Sequence, residues 1–365
     1  MEGQLELFDT NIINLCNTIR SAHKIELHRH LTGSISAETA IKIALKHNIY
    51  LPTYLRAELE DHLVPKNCRR DLEEYFKPWE TLNQLFINPE AVYELIFNVI
   101  KEASEDNIIY LELRTGPRWF LGDGKYTFQN FLQSFINASE DAEKEFGIVT
   151  RGIIGLPRQV FIKIPSNIIH KMFWRIIDDI KKYGDDIIVG IDLNGNEAKS
   201  NGNAFKGFFD LGRRAGLRIT IHAGELGNIE NVQYAISDLG ANRIGHGIAL
   251  FNEHELMNEI KNLRIPMEIC PSSNILLQIA TDLNYIPLNY LIENNIPFAI
   301  CTDNPIICKT SLSEELIKLA LFFSLSSHNI LALENKKIDY IFASTQVKEN
   351  ISQRLMPDKL MFNEK

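Results

Sequence analysis

Nothing in this chain reads as an export leader, a membrane span or a cysteine scaffold. The opening residues, "MEGQLELFDT", are acidic and carry no basic segment ahead of an apolar core, so a secretory leader is not expected. No apolar stretch approaches the roughly 20 residues that a membrane helix needs. The five cysteines, Cys16, Cys68, Cys270, Cys301 and Cys308, are odd in number and form no CxxC pair. That pattern offers neither a disulfide framework nor a thiolate zinc cluster, and it predicts reduced thiols in the cytoplasm. Positive charge is in deficit: 38 Lys and Arg stand against 47 Asp and Glu, a net charge of −9. Such a balance argues against a nucleic acid or an anionic membrane as the main partner, while leaving room for a local basic pocket. Low-complexity linkers and residue-level repeats are also missing, and the chain is read as one domain over residues 1–365.

What the chain does have is a core and a rhythm. Hydrophobic residues make up 45% and charged residues 23%, the balance of a globular protein with a sizeable interior. Short apolar runs rich in β-branched residues recur: "KIELHRH", "IIYLELR", "TRGIIGL", "IIVGIDLNG", "LRITIHAGE", "RIGHGI", "IPMEICPSS" and "IPFAICTDN". Between them lie amphipathic stretches such as "AVYELIFNVIKEASED" and "NFLQSFINASEDAEKEF", with apolar residues at helical spacing. Strand–helix alternation implies parallel strands joined by crossover helices, and eight such units predict an α/β fold of the (β/α)8 TIM barrel type. The residues before Lys24 are expected to form a short helix. The segment 37–98 is long for one connection and is expected as several helices, a lid over the C-terminal mouth of the barrel.

A barrel of this kind carries its chemistry where the strands end. Polar residues gather there: His28 and His30 in the first run, Arg114 in the second, Gly195 and Glu197 at the fourth, His222 and Glu225 at the fifth. His246 closes the sixth, Ser272 and Ser273 the seventh, Asp303 and Asn304 the eighth. Residues i and i+2 of a strand share a face, so His28 and His30 emerge side by side. An isolated HxH is commonly a pair of surface histidines. Joined by His222 from across the barrel and by Asp303 from the neighbouring eighth strand, the pair becomes a candidate metal site. Imidazole and carboxylate suit zinc or another borderline divalent ion, and a catalytic site keeps a position for water. Cys301 is expected as a packed thiol rather than a ligand.

The motifs "ELHRHLTGS", "GIDLNGNE", "HAGE", "RIGHGI", "CPSSN" and "CTDNP", taken in this order, resemble the adenosine deaminase family of zinc aminohydrolases. The likeness runs from Lys24 to the end of the chain. It implies a (β/α)8 barrel, one catalytic zinc per chain and hydrolytic removal of the amine on purine C6. The zinc ligands implied are His28, His30, His222 and Asp303. Glu225 is implied as the general acid beside the metal, and His246 as the residue that takes the water's proton or holds hydroxide. Gly195 is implied to meet the purine through its backbone, and Asn304 to face the five-membered half of the ring. Many relatives carry aspartate where Asn304 stands, although an amide can also donate or accept. The residue types suit the reaction. Attack at C6 breaks aromaticity, ring N1 must gain a proton, and Glu225 can supply it at neutral pH only if burial keeps it protonated. The bland alternatives are a salt-bridged Glu225 and a core His246 bonded to a carbonyl.

Thr32 bears on the substrate. Many relatives place an acidic residue two after the second histidine, where it bonds the ribose 5′-hydroxyl. A carboxylate there would repel a 5′-phosphate, whereas a hydroxyl donates to one. "LTGSIS", "YLELRTGPR" and "DYIFAS" are similar to the adenosine deaminase-like group, the N6-methyl-AMP deaminases, while "HAGE" is typical of adenosine deaminases proper. The expected reaction converts N6-methyl-AMP to IMP and methylamine, in a monomer. Adenosine deamination to inosine and ammonia is the alternative, and a non-catalytic relict binding protein is a more distant one. Arg114 is expected either to hold phosphate or to form a structural ion pair. Arg118 is a further cation candidate, and Lys24 begins its strand and so lies at the wrong end. Leu72, Phe76 and Trp79 in "DLEEYFKPWETL" have helical spacing, and Phe76 is expected to roof the substrate and exclude water.

Overall fold

The structure is a computed structural model that describes residues 2–116, 127–184, 186–200 and 202–361; Arg118 lies outside the described residues. Eight parallel strands stand in sequence order: β1 Lys24–His30, β2 Ile108–Thr115, β3 Val149–Pro157, β4 Ile188–Asn194, β5 Arg218–Ala223, β6 Arg243–His246, β7 Met267–Ile269 and β8 Phe298–Ile300. Each pairs with the next, and a bridge between Arg29 and Asp303 brings the last strand back to the first. There the Asp303 N–H donates to the His28 carbonyl and the His30 N–H to the Asp303 carbonyl, each at 2.8 Å. The fold is the (β/α)8 TIM barrel that the alternating runs imply. Strands β7 and β8 are only three residues long because their polar ends leave the sheet. One turns into the helix Pro271–Leu276, the other into the loop that carries Asp303.

Local chemistry sets the helices. Asn88 caps the helix Pro89–Glu105 by accepting from the Ala91 N–H, and Pro89 occupies the first turn, where its missing N–H costs nothing. That helix buries Ala91, Val92, Leu95, Ile96, Val99, Ile100 and Ala103, one stripe at helical spacing. The helix Phe128–Phe146 starts with a Thr127–Asn130 capping box and stops at Gly147, which takes a left-handed φ of 70°. The N-terminal helix runs from Glu2 to Ser21, 20 residues, and is thus longer than the short helix expected. No proline interrupts it, and its C-terminal end buries Ile19 with Leu15 and Cys16 against the core.

Between β1 and the helix Pro89–Glu105 lie four shorter helices, Ala37–His47, Arg56–His62, Leu72–Tyr75 and Pro78–Asn83. Leu72, Phe76 and Trp79 do not share one helix as their spacing suggested. Pro78 has no N–H for the ladder, so one helix ends at Tyr75 and another begins at Pro78. Tyr75, Phe76 and Trp79 still cluster, with ring centroids 5.2–5.5 Å apart.

The opposite end of the barrel is closed by the C-terminal segment. Ile341, Ile351 and Leu355 pack with Ile25, Tyr110, Val149 and Cys301. Lys24 donates to the carbonyls of Ile19, Arg20 and Ala22, at the strand's start as expected. Arg243 is the centre of this end. Its guanidinium pairs with Glu112 and, at 2.7 Å, with Glu268, donates to the Tyr340 carbonyl at 2.9 Å, and stacks 3.5 Å above the Phe342 ring. All five cysteines are free thiols, and Cys301 is fully buried. Among the described residues no helix is long and apolar enough to cross a membrane. Arg243→Ala strands two buried carboxylates, so unfolding in urea should show a loss of about 3–5 kcal/mol. A loss within about 1 kcal/mol, the value of a surface pair, would contradict this reading of the barrel base.

Candidate metal centre and active site

The strand ends converge. One ligating atom from each of His28, His30, His222 and Asp303 lies within 4.8 Å of the others. His30 Nε2 stands 3.2 Å from both His222 Nε2 and Asp303 Oδ1, and His28 Nε2 stands 3.5 Å from Asp303 Oδ1. His28 Nε2 is buried and has no hydrogen-bond partner. A buried, unsatisfied imidazole nitrogen beside two more imidazoles and a carboxylate fits a cation, and the donor set suits zinc or a similar divalent ion.

The residues behind the ligands fix their orientation. His28 Nδ1 lies 2.9 Å from Glu268 Oε2, and His222 Nδ1 lies 3.0 Å from Asp192 Oδ1. Each carboxylate accepts the Nδ1 hydrogen, so both Nε2 lone pairs face the shared point. Asp303 Oδ2 accepts from Ser273 Oγ at 2.6 Å, which leaves Oδ1 toward the ligands. The sequence motif "GHG" also has a steric reason. A Cβ at Gly245 would stand 3.1 Å from His28 Cε1 and 3.2 Å from His222 Cα, so glycine lets the two imidazoles approach. His246 and Asp303 both adopt left-handed backbones, φ 61° and 60°. Such conformations cost about 1–3 kcal/mol each and persist where surrounding structure enforces them.

Arg114 holds the two supporting carboxylates together. Its Nη2 lies 2.5 Å from Glu268 Oε2 and its Nε 3.5 Å from Asp192 Oδ2. The buried side chain borders the cavity; its ion pairs use Nη2 and Nε, and Nη1 has no hydrogen-bond partner among the described residues. Burial opposes ionisation of Glu268, but Arg114, Arg243 and His28 outweigh it and hold this carboxyl well below its usual range.

Above the ligands opens a cavity of about 620 Å³. His30, His222, Asp303, Glu225 and His246 border it, together with Thr32, Gly195 and Asn304; Tyr75, Phe76 and Trp79 line it from the helical segment. Glu225 Oε1 stands 3.7 Å from His246 Nε2. Burial pushes the Glu225 carboxyl well above its ordinary pKa, Asp303 and Glu197 push the same way, and Arg158 opposes them. Arg158 is itself buried, donates to the His222 carbonyl at 2.7 Å, and is pushed down to about 10 by that burial. Glu197 straps the Glu225 loop by accepting from the N–H groups of Gly224, at 2.8 Å, and Leu226. At Gly195, φ is 80°, a left-handed backbone that favours glycine, and a Cβ would also displace the Gln159 side chain, whose Oε1 would stand 2.1 Å away. Asn304 Nδ2 donates to the Tyr75 hydroxyl at 3.1 Å, and its buried Oδ1 has no partner.

Sequence reasoning missed Tyr75, Arg158, Asp192, Glu268 and Asn274. A signal existed for two of them. Asp192 in "GIDLNG" and Glu268 in "IPMEIC" are single charges inside apolar runs, and a charge buried there needs a partner. Tyr75 and Arg158 carry no comparable pattern.

Strands that converge on three imidazoles, a carboxylate and a buried acid define a metal-dependent hydrolase of the barrel class. Known proteins narrow that class. The family described as Adenosine deaminase matches residues 23–357. The chain is 31% identical over 329 residues to an adenosine deaminase of Clostridium perfringens, covering 90% of this chain and 96% of the relative. It is similar to the apo structure of the N6-methyl-AMP deaminase from Arabidopsis thaliana, at 25% identity and a TM-score of 0.78, covering 96% of this chain and 100% of that one. It is also similar to Arabidopsis ADAL complexed with IMP, at 26% identity and a TM-score of 0.78, covering 94% and 98%. The chain belongs to the adenosine deaminase family of hydrolases.

Two outcomes follow for metal binding. Glu268→Ala removes the acceptor behind His28 and should weaken zinc affinity by about 10- to 100-fold in chelator competition. Burial and Arg114 disfavour a charged His28, but Asp303 and Glu268 outweigh them and raise its pKa. Protons therefore compete with the ion, so zinc affinity should rise with pH through the His28 pKa; titrations from about pH 5 to about pH 8 measure this, and a flat profile contradicts it.

Proposed function

We propose that this protein is a zinc-dependent deaminase acting at C6 of a purine 5′-monophosphate, with N6-methyl-AMP converted to IMP and methylamine. The observation that carries the reaction is the convergence of four ligating side chains, Glu225 and His246 on one cavity floor. A zinc held by His28, His30, His222 and Asp303 would supply hydroxide at neutral pH by lowering the pKa of water to about 7. Glu225, kept protonated by burial, gives its hydrogen to ring N1 as the C6–O bond forms. His246 orients the nucleophile from beside Glu225. The Gly195 backbone and Asn304 meet the ring. Tyr75, Phe76 and Trp79 roof it, and we read segment 37–98 as a lid that excludes water. We take the enzyme to act as a monomer in the cytoplasm.

The nucleotide reading is supported by Thr32, a hydroxyl on the cavity wall where a carboxylate would repel phosphate, and by Lys163 in the cavity lining. The likeness to the Arabidopsis N6-methyl-AMP deaminase points the same way. A second reading, adenosine to inosine and ammonia, is favoured by the higher identity to a bacterial adenosine deaminase. Rates on adenosine, AMP, N6-methyl-AMP and N6-methyladenosine separate them. The 5′-monophosphates should be preferred, with N6-methyl-AMP fastest; preference for free nucleosides overturns the phosphate reading and leaves the C6 chemistry standing. Glu225→Gln should retain its metal and lose about 10²- to 10⁴-fold in kcat. Full activity in that variant would falsify the acid assignment.

A further inference from the structure

His246 is held from behind by two residues that do not reach the cavity. Its Nδ1 lies 3.2 Å from Asn274 Nδ2, and Asn274 Oδ1 lies 3.0 Å from the Tyr285 hydroxyl. Asn274 is fully buried on the helix Pro271–Leu276, directly after β7. Its backbone is pinned as well, since its carbonyl accepts from the Ile279 N–H at 3.0 Å. Among the described residues, Asn274 Oδ1 is the acceptor in reach of the Tyr285 hydroxyl.

These contacts have a direction. A phenol has one hydrogen to give, and Asn274 Oδ1 takes it. The amide therefore turns its NH2 toward His246, and an N–H is satisfied only by a nitrogen that offers a lone pair. A ring carrying hydrogen on Nδ1, neutral or cationic, would set two hydrogens face to face against the fully buried Asn274 amide.

We propose that Tyr285 and Asn274 are positioning residues that lock His246 as the neutral ring with its hydrogen on Nε2. In that form His246 serves the reaction as a hydrogen-bond donor to the nucleophile and not as its base. The inference rests on the reading of His246 as an active-site residue and deepens it. Residue type alone allows two roles, proton acceptor and hydrogen-bond donor, and a ring whose Nδ1 already accepts and whose Nε2 is protonated can fill only the second. Nε2 faces Glu225 Oε1 at 3.7 Å, so the donor and the acid stand together. Glu225 then carries both proton transfers. It gives its hydrogen to N1 as the C6–O bond forms. As a carboxylate it next takes the hydroxyl hydrogen of the tetrahedral centre and delivers it to the amine, as the C6–N bond breaks and the C6 carbonyl forms; it regains its own hydrogen from the water that becomes the next hydroxide.

Metal-loaded protein labelled with 15N-histidine reports the tautomer directly. The His246 signals, assigned by their loss in His246→Gln, should pair a pyrrole-type Nε2 with a pyridine-type Nδ1. Asn274→Asp replaces the donor by an acceptor, so the hydrogen should move to Nδ1 and the two shifts exchange. In the same variant kcat should fall by about 10²-fold with KM little changed, the loss typical of one misdirected donor. Tyr285→Phe frees the amide to turn, and both tautomers should appear with a smaller fall of about tenfold in kcat. A wild-type ring that carries its hydrogen on Nδ1 overturns the proposal, as does an Asn274→Asp enzyme with wild-type kcat. The spectrum needs no turnover. A protein that deaminates no purine yet shows Nε2–H would retire the functional reading and support the tautomer assignment.

Discussion

The interior charge lattice centred on Arg114 is the constraint from which the rest of this site follows. Arg114 sits between Glu268 and Asp192, and each of those carboxylates holds one histidine by its Nδ1. Removing such groups from water is expensive, and only their mutual attraction and complete hydrogen bonding offset the cost. The lattice is also unbalanced. Arg114 pairs with Asp192 and Glu268, while Asp303 meets imidazoles and hydroxyls and, among the described residues, has no arginine or lysine in an ion pair with it. The candidate ligand cluster and the ion pairs beneath it are thus one electrostatic unit.

A good part of this was legible in the sequence. The run "KIELHRH" marks β1 residue for residue, because a strand's alternation is a local pattern. The order of strand-end motifs points to the ligand set for the same reason: each ligand sits at a boundary between an apolar run and a polar turn. Contacts made across the barrel were not legible. His28 and Glu268 are 240 residues apart, and nothing near either announces the other. Arg114 shows the limit well. Its position at a strand end is compatible with a phosphate contact or an ion pair, and only the three-dimensional arrangement reveals the pairs to Asp192 and Glu268.

The aromatic segment shows a different failure. Helical spacing put Leu72, Phe76 and Trp79 on one face, but Pro78 splits the helix, and Tyr75 gains the position that matters. Its hydroxyl lies 3.0 Å from Ser273 Oγ and 3.5 Å from Asp303 Oδ2, and it accepts from Asn304. Tyr75 therefore joins the roof of the cavity to the carboxylate of the candidate metal group. Periodicity cannot report a residue whose role begins where the period ends.

The C-terminal segment gives the barrel base a part in the chemistry at its mouth. The Tyr340 carbonyl and Phe342 ring seat Arg243, Arg243 pairs with Glu268, and Glu268 polarises His28. The electron-donating strength of one ligand is thus set partly from the far side of the molecule. Exchanging this tail between relatives would retune the basicity of the His28 imidazole without altering any side chain that borders the cavity.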